Sequence, residues 1–251
     1  MVYFVGAGSG AADLITVRGA RLLAEADVII YAGSLVNPAL LDYARAGTEI
    51  HDSARMTLEE VIETIRAAEA RNLTTVRLHT GDSSIFGAVR EQFDALDALG
   101  IEYSVCPGVS SFCGAAASLK TEYTLPDVSQ TVIISRMEGQ TPTPEGQKIR
   151  ELAAHGATMV LFLSAGLLGS VTKELTAGGY PADTPAAIVY KASWPDEQIF
   201  RCTLASLEET ARDNGISQTA LIVIGGVLGE TFERSKLYDP SFATAFREAR
   251  S

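Results

Sequence analysis

Residues that build metal centres and disulfides are scarce in this chain. Its 251 residues include only three histidines and three cysteines, at positions His51, His79, His155, Cys106, Cys113 and Cys202. The histidines are scattered, and Cys106 and Cys113 are too far apart for a Cys-x-x-Cys pair. We therefore expect no metal, no histidine-centred triad, and cysteines that act as buried apolar residues in a reducing compartment. Only His79, just before Gly81-Asp82, stands at a strand end where it could face a site.

Positive charge is also in short supply. Twenty Lys and Arg residues face 31 Asp and Glu residues, which gives a formal net charge of −11. This balance argues against nucleic acid as the main partner. It does not argue against a small anionic substrate, which responds to the local field of a cleft.

Long hydrophobic runs are missing. The longest, residues 159–163 and 219–224, have the length of strands, far short of the roughly 20 residues of a membrane span. Met1 leads directly into an apolar strand, so we expect no signal peptide. The sequence therefore predicts a cytoplasmic protein without a membrane partner.

Strand and helix patterns alternate along the chain. Strands at 2–5, 28–31, 76–80 and 101–106 alternate with helices at 17–25, 37–45, 57–71, 89–99 and 113–119. A second series begins at 131–135 and continues through strands at 158–163, 186–190, 199–203 and 220–225, with helices at 146–154, 168–177 and 204–213. This order predicts two α/β domains with mostly parallel sheets, residues 1–120 and 121–251, and a polar tail after Gly229 that is loose or contacts a partner.

The stretch at 76–87 is the one around which other segments make sense. An apolar strand stops at Gly81-Asp82, turns through two serines, and passes Gly87 into a helix. Such a strand end presents backbone groups to ligands, and the carboxylate of Asp82 can accept hydrogen bonds. The competing interpretation is a β-turn in which Asp82 serves the turn or caps the helix.

A glycine-rich loop, Gly6-Ala7-Gly8-Ser9-Gly10, follows the first strand. Strand, glycine loop and helix suggest a dinucleotide site and hence a nicotinamide-dependent oxidoreductase. That hypothesis needs an acidic residue at the end of the second strand, but Asp27 lies at its beginning. We therefore interpret the loop as the lining of a cleft and keep the oxidoreductase as an alternative.

Four motifs together resemble the tetrapyrrole methyltransferase superfamily over nearly the whole chain, to about residue 230. They are the glycine loop with Asp13-Leu14-Ile15-Thr16, Gly81-Asp82, Pro107-Gly108-Val109-Ser110-Ser111, and Gly225-Gly226. Within the superfamily, residues 31–36 and 190–195 are similar to the precorrin-4 C(11)-methyltransferases of cobalamin synthesis. The uroporphyrinogen methyltransferases usually have an Asp-Arg pair where this chain has Ala32-Gly33.

The resemblance implies a homodimer of two-domain chains with S-adenosylmethionine in the cleft between the domains. Matching motifs place the methyl donor against Thr80, Gly81, Asp82, Ile85, Ser110, Ser111, Leu163 and Ala192. The glycine loop, with Gly8, Ser9 and Gly10, and the neighbouring Ser34 would line the tetrapyrrole trough. Ser9 stands where many members have proline, so we expect a looser loop without lost chemistry.

Methyl transfer to a ring carbon needs alignment and a dry cleft rather than a covalent nucleophile. Asp13 is our candidate base, with helix capping as its competing role. Tyr31 and Glu138 are further candidates, with packing and solvent contact as their alternatives. A tetrapyrrole with many carboxylates needs local cations, for which Arg18, Arg55, Arg136 and Lys191 are candidates.

The leading hypothesis is therefore methylation of precorrin-4 at carbon 11. The sequence leaves open the cobalt-containing form of that substrate, another precorrin position, and a non-catalytic tetrapyrrole carrier. Intact Gly81-Asp82 and Ser110-Ser111 speak against the carrier, because it would not need a donor site.

Overall fold

The computed structural model describes residues 1–230, 232–233 and 235–249. Two compact units divide the chain. One comprises Met1–Ala115 with Lys191–Glu197, and the other comprises Ala116–Tyr190 with Gln198–Ser251. The sequence-based boundary at 120 lies close to the first of these divisions. It did not separate residues 191–197 from the second domain, because nothing in their local pattern records that they pack on the glycine loop.

The N-terminal unit is built on a parallel sheet of five strands in the order β3-β2-β4-β1-β5. The strands are β1 (Val2–Gly6), β2 (Val28–Tyr31), β3 (Glu49–Asp52), β4 (Thr75–His79) and β5 (Tyr103–Cys106). All four pairings are parallel, as the alternating pattern predicts. The carboxyl ends of the strands therefore lie along one edge of the sheet.

Helices cover both faces of this sheet. They are α1 (Val17–Glu25), α2 (Leu58–Glu69), α3 (Arg90–Leu99) and α4, which begins in this unit (Ser111–Leu119). One buried cluster includes Leu22, Leu23 and Ile29, and the other includes Phe4, Ile65 and Leu96. Burial on both faces explains why β4 is buried along its whole length.

Two details of this unit differ from the sequence prediction. Residues 37–45 contain a 3₁₀ helix, Pro38–Tyr43, rather than an α-helix. Strand β3 was not predicted, because Glu-Ile-His-Asp is a short, largely exposed edge strand without an apolar run.

The C-terminal unit has a mixed five-stranded sheet in the order β6-β7-β10-β8-β9. Its strands are β6 (Val132–Arg136), β7 (Thr158–Phe162), β8 (Pro185–Tyr190), β9 (Gln198–Thr203) and β10 (Ala220–Ile224). Only β6 and β7 run parallel, and the other three pairings are antiparallel. The expectation of a mostly parallel sheet is therefore wrong here. Strands β8 and β9 follow each other along the chain without a helix between them, and β10 lies antiparallel between β7 and β8.

Besides the end of α4, the described residues of this unit form the α-helices α5 (Ile149–Ala153), α6 (Leu168–Ala177) and α7 (Leu207–Asp213). Their apolar faces and the sheet enclose one cluster, which includes Met159, Leu175 and Ile222. Helix α6 has the predicted bounds, whereas α5 and α7 each begin three residues later than predicted. None of the helices in the described part of the chain is both long and apolar enough to cross a lipid bilayer.

After Gly229 the described residues form a 3₁₀ turn, Lys236–Tyr238, and a short bridge between Thr244 and Arg247. The Arg247 guanidinium donates to the carbonyls of Leu237, Asp239 and Phe242. The described part of the segment also exposes the aromatic side chains of Phe232, Tyr238 and Phe246. Residues 231, 234, 250 and 251 lie outside the described residues, and the role of the tail stays a prediction.

Candidate active site

Three loops meet at the carboxyl edge of the parallel sheet. They follow β1, β4 and β5, which are neighbours in the sheet. Gly8 N–H donates to the Gly81 carbonyl at 3.2 Å, and Gly81 N–H donates back to Gly8 at 3.0 Å. The glycine loop and the Gly-Asp loop are thus paired by their backbones, as their positions at adjacent strand ends require.

Glycine is needed at this edge because the backbones approach too closely for side chains. A Cβ at Gly108 would lie 2.1 Å from the Gly81 carbonyl oxygen, and one at Gly6 would lie 2.5 Å from Gly108 Cα. Gly81 has a φ of +59°, and a Cβ there would lie 3.3 Å from Ser111 N. The three loops consequently form one tightly packed backbone layer.

Asp82 fastens two of these loops together. Its Oδ2 accepts from Gly108 N–H at 2.7 Å, and its Oδ1 accepts from the N–H of Ser84 at 2.9 Å and from the Ser84 hydroxyl. Burial opposes ionisation, but these hydrogen bonds outweigh it and hold the pKa of Asp82 below its ordinary value. The turn-forming role is therefore present, and each carboxylate oxygen already has a partner.

The other predicted donor residues of this unit lie around the same layer. Thr80 is exposed, and its hydroxyl donates to the Leu35 carbonyl at 3.3 Å. Ile85 is half-buried, and Ser110 is buried just before α4 begins at Ser111. The structure thus brings Gly81 and Asp82 next to the 108–111 loop.

Residues 191–197 contribute to this unit although they lie far along the chain. The Ser193 hydroxyl is 3.0 Å from the Ser9 hydroxyl and accepts from Ala11 N–H at 3.0 Å. A Cβ at Gly10 would lie 2.2 Å from Cδ1 of Trp194. Sequence reasoning missed Ser193 and Trp194, because no local pattern indicates this contact.

Two further contacts involve the loops that are predicted to line the tetrapyrrole trough. Asn37 Nδ2 donates to the Gly10 carbonyl at 3.0 Å. Asp52 Oδ1 accepts from Gly33 N–H at 3.0 Å, and a Cβ at Gly33 would lie 2.3 Å from that oxygen. Ser34, next to this contact, is exposed. Asp52 was missed because it ends the unpredicted strand β3.

Two of the three candidate bases, Asp13 and Tyr31, have different surroundings. Asp13 lies exposed in a 3₁₀ turn, Ala12–Leu14, and its side chain has no hydrogen-bond or ion-pair partner among the described residues. The competing role of capping α1 belongs instead to Thr16, whose hydroxyl accepts from Gly19 N–H at 3.0 Å. Tyr31 packs against the Leu22 cluster, which is the packing role considered as its alternative.

The candidate cations also divide. Arg18 and Arg55 are exposed, and in the described part of the chain neither guanidinium has a hydrogen-bond or ion-pair partner. Lys191 Nζ is 2.5 Å from Asp196 Oδ2 and lies 5.2 Å from the Trp194 ring centroid. Lys191 therefore already has an anionic partner, whereas Arg18 and Arg55 present their charge to solvent.

His79 does not face a site. It is 5% exposed, its ring stacks on Phe4 at 5.9 Å, and its buried Nε2 has no hydrogen-bond partner among the described residues. Burial, with a smaller contribution from Arg77, lowers the pKa of His79 to about 3. Strand alternation explains this position, because residues 77 and 79 share the face that packs on Phe4.

Buried Arg77 is fixed without an ion-pair partner among the described residues. Its Nε donates to Gln92 Oε1 at 3.1 Å, and its Nη1 donates to the Ile30 carbonyl at 3.2 Å. Burial lowers the pKa of Arg77 to about 10, which leaves it charged at neutral pH. Gln92 in turn donates to the Ala88 carbonyl at 3.0 Å, so Arg77 supports the far end of the Gly-Asp loop.

The remaining predicted residues belong to the C-terminal unit. Leu163 follows β7 with a φ of +52° and is 64% exposed. Arg136 donates to the carbonyls of Thr141 at 3.2 Å and Pro142 at 2.9 Å, so its guanidinium organises its own loop. Glu138 is half-buried in that loop. The binding roles of these residues stay predictions.

A family model for tetrapyrrole (corrin/porphyrin) methylases matches residues 1–208. The chain belongs to the tetrapyrrole methylase family. A cobalt-precorrin-4 C(11)-methyltransferase of Methanocaldococcus jannaschii is 51% identical over 249 residues, which cover 99% of this chain and 96% of the relative. A precorrin-4 C(11)-methyltransferase of Mycobacterium tuberculosis is 46% identical over 239 residues, with 94% and 95% covered.

Solved structures of related methyltransferases also match this chain. The X-ray structure of a cobalamin biosynthetic enzyme, cobalt precorrin-4 methyltransferase, matches with a TM-score of 0.89 at 44% identity and covers 91% of this chain and 96% of its own. A uroporphyrin-III C-methyl transferase from Thermus thermophilus, complexed with S-adenyl homocysteine, matches at 0.76 and 27% identity, with 91% and 93% covered. The two-domain α/β fold of this tetrapyrrole methylase is thereby confirmed.

Two observations bear on the alternatives for this methylase. Asp27 accepts from Thr74 N–H at 2.8 Å, a bond that lowers the pKa of Asp27, and it forms an ion pair with Arg45. It lies ahead of β2 and is engaged at the amino edge of the sheet, which removes it from any ribose-binding role at the carboxyl edge. Among the described residues no cluster of three His, Cys, Asp or Glu side chains could hold a metal ion; the absence of a metal stays a prediction.

A cavity of about 470 Å³ lies elsewhere in this tetrapyrrole methylase, within the C-terminal unit. Its lining includes Gly166, Gly169, Glu208 and Arg212. None of the predicted site residues lines it. The polar and glycine-rich edge of the parallel sheet therefore remains the better candidate.

Proposed function

We propose that this chain is an S-adenosylmethionine-dependent methyltransferase that methylates carbon 11 of precorrin-4 or of its cobalt form to give the corresponding precorrin-5. The observation that carries the proposal is full-length similarity to relatives with that activity in their names, at 51% and 46% identity. Both forms of the substrate occur among these names. An assay that offers each form in parallel decides between them.

The parallel-sheet edge fits such a donor. The space beside Gly81 is bounded by the backbones of Ser110 and Ser111, and a side chain at position 81 would fill it. We propose that Thr80, Gly81, Asp82, Ile85, Ser110, Ser111 and Ala192 contact the donor. When bound, S-adenosylmethionine would supply a methyl group on a positively charged sulfur.

The residues at this edge would bind and orient rather than react. A free carboxylate at the sulfur would stabilise the positive ground state more than the transition state, in which that charge disappears. Asp82 should therefore contact the polar periphery of the donor rather than its sulfur, with its carboxylate held in place by Gly108 and Ser84. Glycine and serine backbones then leave room for close approach, and alignment can contribute roughly 7 to 11 kcal/mol in the best cases.

We propose Asp13 as the group that accepts a proton during the reaction. Its carboxylate is exposed, and no described residue competes for it. Asp13→Asn should lower kcat without changing the affinity for S-adenosylhomocysteine, whereas Asp13→Glu should retain part of the rate. Full activity of Asp13→Asn would show that this carboxylate is not the base.

Calorimetric titration with S-adenosylhomocysteine, with NADH in parallel, tests the proposed donor. Binding of the first ligand alone supports the proposal. Binding of NADH alone would support the alternative hypothesis that the glycine loop binds a dinucleotide. Methyl transfer to the two precorrin forms is then measured with the same preparation.

Asp82→Ala should raise the Kd for S-adenosylhomocysteine by about tenfold or more, because hydrogen bonds to a charged group are worth roughly 1.5 to 3 kcal/mol. Asp94→Ala is the control, since Asp94 is an exposed carboxylate on α3 that pairs only with Arg90 in the described contacts. Unchanged affinity in Asp82→Ala would contradict the placement of the donor site.

We also propose a homodimer in the cytoplasm. Val17 is 90% exposed and Val105 on the edge strand β5 is 45% exposed, and their neighbours Thr16 and Cys106 are in contact. Exposed apolar side chains beside an unpaired strand edge favour association with a second copy. Light scattering should give twice the chain mass for the wild-type protein, and a lower mass for Val17→Asp. Fractionation of cells tests the cytoplasmic location.

A further inference from the structure

The segment Lys191–Glu197 connects β8 to β9 but packs in the N-terminal unit. The sequence analysis assigned a binding role in this segment to Lys191 and Ala192 and none to Ser193. We propose that Ser193 is a positioning residue, which holds the glycine loop in the shape that receives the tetrapyrrole. This inference rests on the proposed function.

One hydroxyl group makes the connection. Ser193 Oγ accepts from Ala11 N–H and lies 3.0 Å from Ser9 Oγ, so it touches the loop on both sides of Gly10. The Gly10 carbonyl is held separately by Asn37. Removal of the Ser193 hydroxyl would therefore release the loop at two points, while Asn37 and the Gly8–Gly81 backbone pair still hold it.

The rest of the segment fits closely against the same loop. A Cβ at Gly10 would lie 2.2 Å from Trp194 Cδ1 and 2.4 Å from the Ala192 carbonyl oxygen. Gly10 also has a φ of +156°. The loop at Gly10 and the segment thus define each other's position, with no space for a side chain between them.

Ser193 is itself held in an unusual conformation. Its φ is +63°, and non-glycine residues keep such values only where their surroundings impose them. Here the Ser193 N–H donates to Glu197 Oε2 at 2.5 Å, and the ion pair of Lys191 with Asp196 closes the same turn. The hydroxyl is therefore aimed at the glycine loop by a folded turn.

The segment also touches the donor side. A Cβ at Gly114 on α4 would lie 2.6 Å from Ser9 Cβ and 3.7 Å from Ala192 Cβ. Helix α4 begins at Ser111, one of the proposed donor contacts. Ser9, which Ser193 contacts, therefore packs against the helix that follows the 108–111 loop. A small displacement of the glycine loop would change its spacing from the proposed donor contacts and hence the rate.

Ser193→Ala should raise KM for the tetrapyrrole and lower kcat, with kcat/KM reduced by about tenfold, as expected when hydrogen bonds that position a substrate are lost. The Kd for S-adenosylhomocysteine should stay within about twofold of wild type, because the 80–85 and 108–111 loops keep their contacts. Ser217→Ala, an exposed serine in the C-terminal unit, is the control with wild-type kinetics.

Companion variants separate positioning from general damage. Ser9→Ala should have a smaller effect than Ser193→Ala, because the Ala11 contact remains. The double variant should match Ser193→Ala alone, since the two hydroxyls share one interaction. Glu197→Gln keeps an acceptor for Ser193 N–H and should retain activity, whereas Glu197→Ala should behave like Ser193→Ala.

Two readouts are independent of activity. Trp194 is the only tryptophan of the chain, so its fluorescence reports this segment directly. In Ser193→Ala the emission should shift to longer wavelength, and the Ala11 amide should exchange its hydrogen faster. If Ser193→Ala does not fold, Glu197→Ala replaces it in the same measurements.

Wild-type kcat and KM with unchanged Ala11 exchange in Ser193→Ala would overturn the inference. An equal loss of S-adenosylhomocysteine affinity would also overturn it, because the effect would then not be confined to the acceptor side. Absence of methyl transfer in the wild-type protein is a different result. It would refute the proposed function, while fluorescence and exchange would still decide whether Ser193 holds the loop.

Discussion

The glycines at the carboxyl edge of the parallel sheet serve a different purpose from the turn glycines of the C-terminal unit. In the N-terminal unit Gly6 and Gly108 allow backbones to meet at the ends of β1, β4 and β5, where a Cβ would collide within 2.1 to 2.7 Å. In the C-terminal unit Gly156, Gly179 and Gly215 have positive φ angles, and no atom of the described residues lies within 4 Å of a Cβ added there. The first set permits close packing and the second permits turns, which indicates where a binding site is built.

The units also differ in what they bury. The parallel sheet buries Arg77 and His79, together with Gln92 from α3. Among the described residues of the other unit, the buried polar residues are the neutral Thr158, Ser164 and Thr184. Buried basic groups cost free energy, so the N-terminal unit should be the more sensitive to changes in sequence and pH.

The largest expected effect is steric. Gly108→Ala should lower the free energy of unfolding by about 3 kcal/mol, because its Cβ meets backbone atoms that cannot rotate away. Gly139→Ala in the other unit should change it by less than about 0.5 kcal/mol, since its Cβ would lie 3.4 Å from a Leu167 methyl group. Urea titration followed by Trp194 fluorescence and by circular dichroism measures both.

Equal losses of unfolding free energy in Gly108→Ala and Gly139→Ala would contradict the proposed difference between the two units. So would a Gly108→Ala protein that keeps wild-type affinity for S-adenosylhomocysteine, because displacement of Gly108 must also disturb its bond to Asp82. The fluorescence transition reports the N-terminal unit, since Trp194 belongs to it.

The difference between the units bears on what sequence can predict. Local signals were sufficient for α1, for the Thr57–Glu60 capping box and for α6, because each depends on residues within one helix. The direction of the strands in the second sheet was missed. Its strands have the same apolar pattern whichever way they run, and pairing partners lie far apart along the chain.

The candidate site shows the same limit. Gly81-Asp82 and the 108–111 loop were predictable, because the carboxyl ends of parallel strands meet at one edge. Asp52 was hidden by an edge strand that lacks an apolar run, and Ser193 and Trp194 by a contact that spans more than 180 residues. Sequence patterns locate strand ends well, but they do not show which distant loop packs on them.

The second prediction concerns pH. His79 takes up a proton near pH 6.5 when unfolded but only near its pKa of about 3 when folded. Its stabilising contribution is therefore complete above pH 6.5 and falls by about 1.4 kcal/mol for each pH unit as the pH drops towards 3. His79→Phe, which keeps a ring against Phe4, should remove this part of the pH dependence.

The matched control is His155→Asn in the C-terminal unit, where the histidine is exposed. It leaves His79 in place and should therefore retain the part of the pH dependence of unfolding free energy that His79 contributes between pH 7 and 4.5. A His79→Phe protein with the same pH dependence as wild type would show that His79 is not buried in its neutral form, and the contrast between the units would lose its electrostatic part.

The smallest effects concern helix ends, where each unit offers one example. In the N-terminal unit the Thr57 hydroxyl accepts from Glu60 N–H at 3.3 Å, and Thr57 N–H donates to the Glu60 carboxylate at 2.8 Å. In the C-terminal unit Lys148 N–H donates to Glu151 at 3.0 Å, but a lysine side chain offers no acceptor in return. At its N-terminus α2 therefore has both hydrogen bonds of a capping box, whereas α5 has only the bond to the Glu151 carboxylate.

Thr57→Ala should therefore cost about 1 kcal/mol, whereas Lys148→Ser should add roughly 0.5 kcal/mol by supplying the missing acceptor. Loss of a cation near a helix N-terminus is itself slightly favourable. Lys148→Ala removes the charge without adding an acceptor, so it separates this effect from the effect of capping. If Lys148→Ala stabilises as much as Lys148→Ser, the gain comes from charge alone. Urea titrations of wild type and the three variants measure these changes in unfolding free energy. If they have the expected size, helix capping is a small and correctable difference between the units, and the main difference lies in the sheets and their loops.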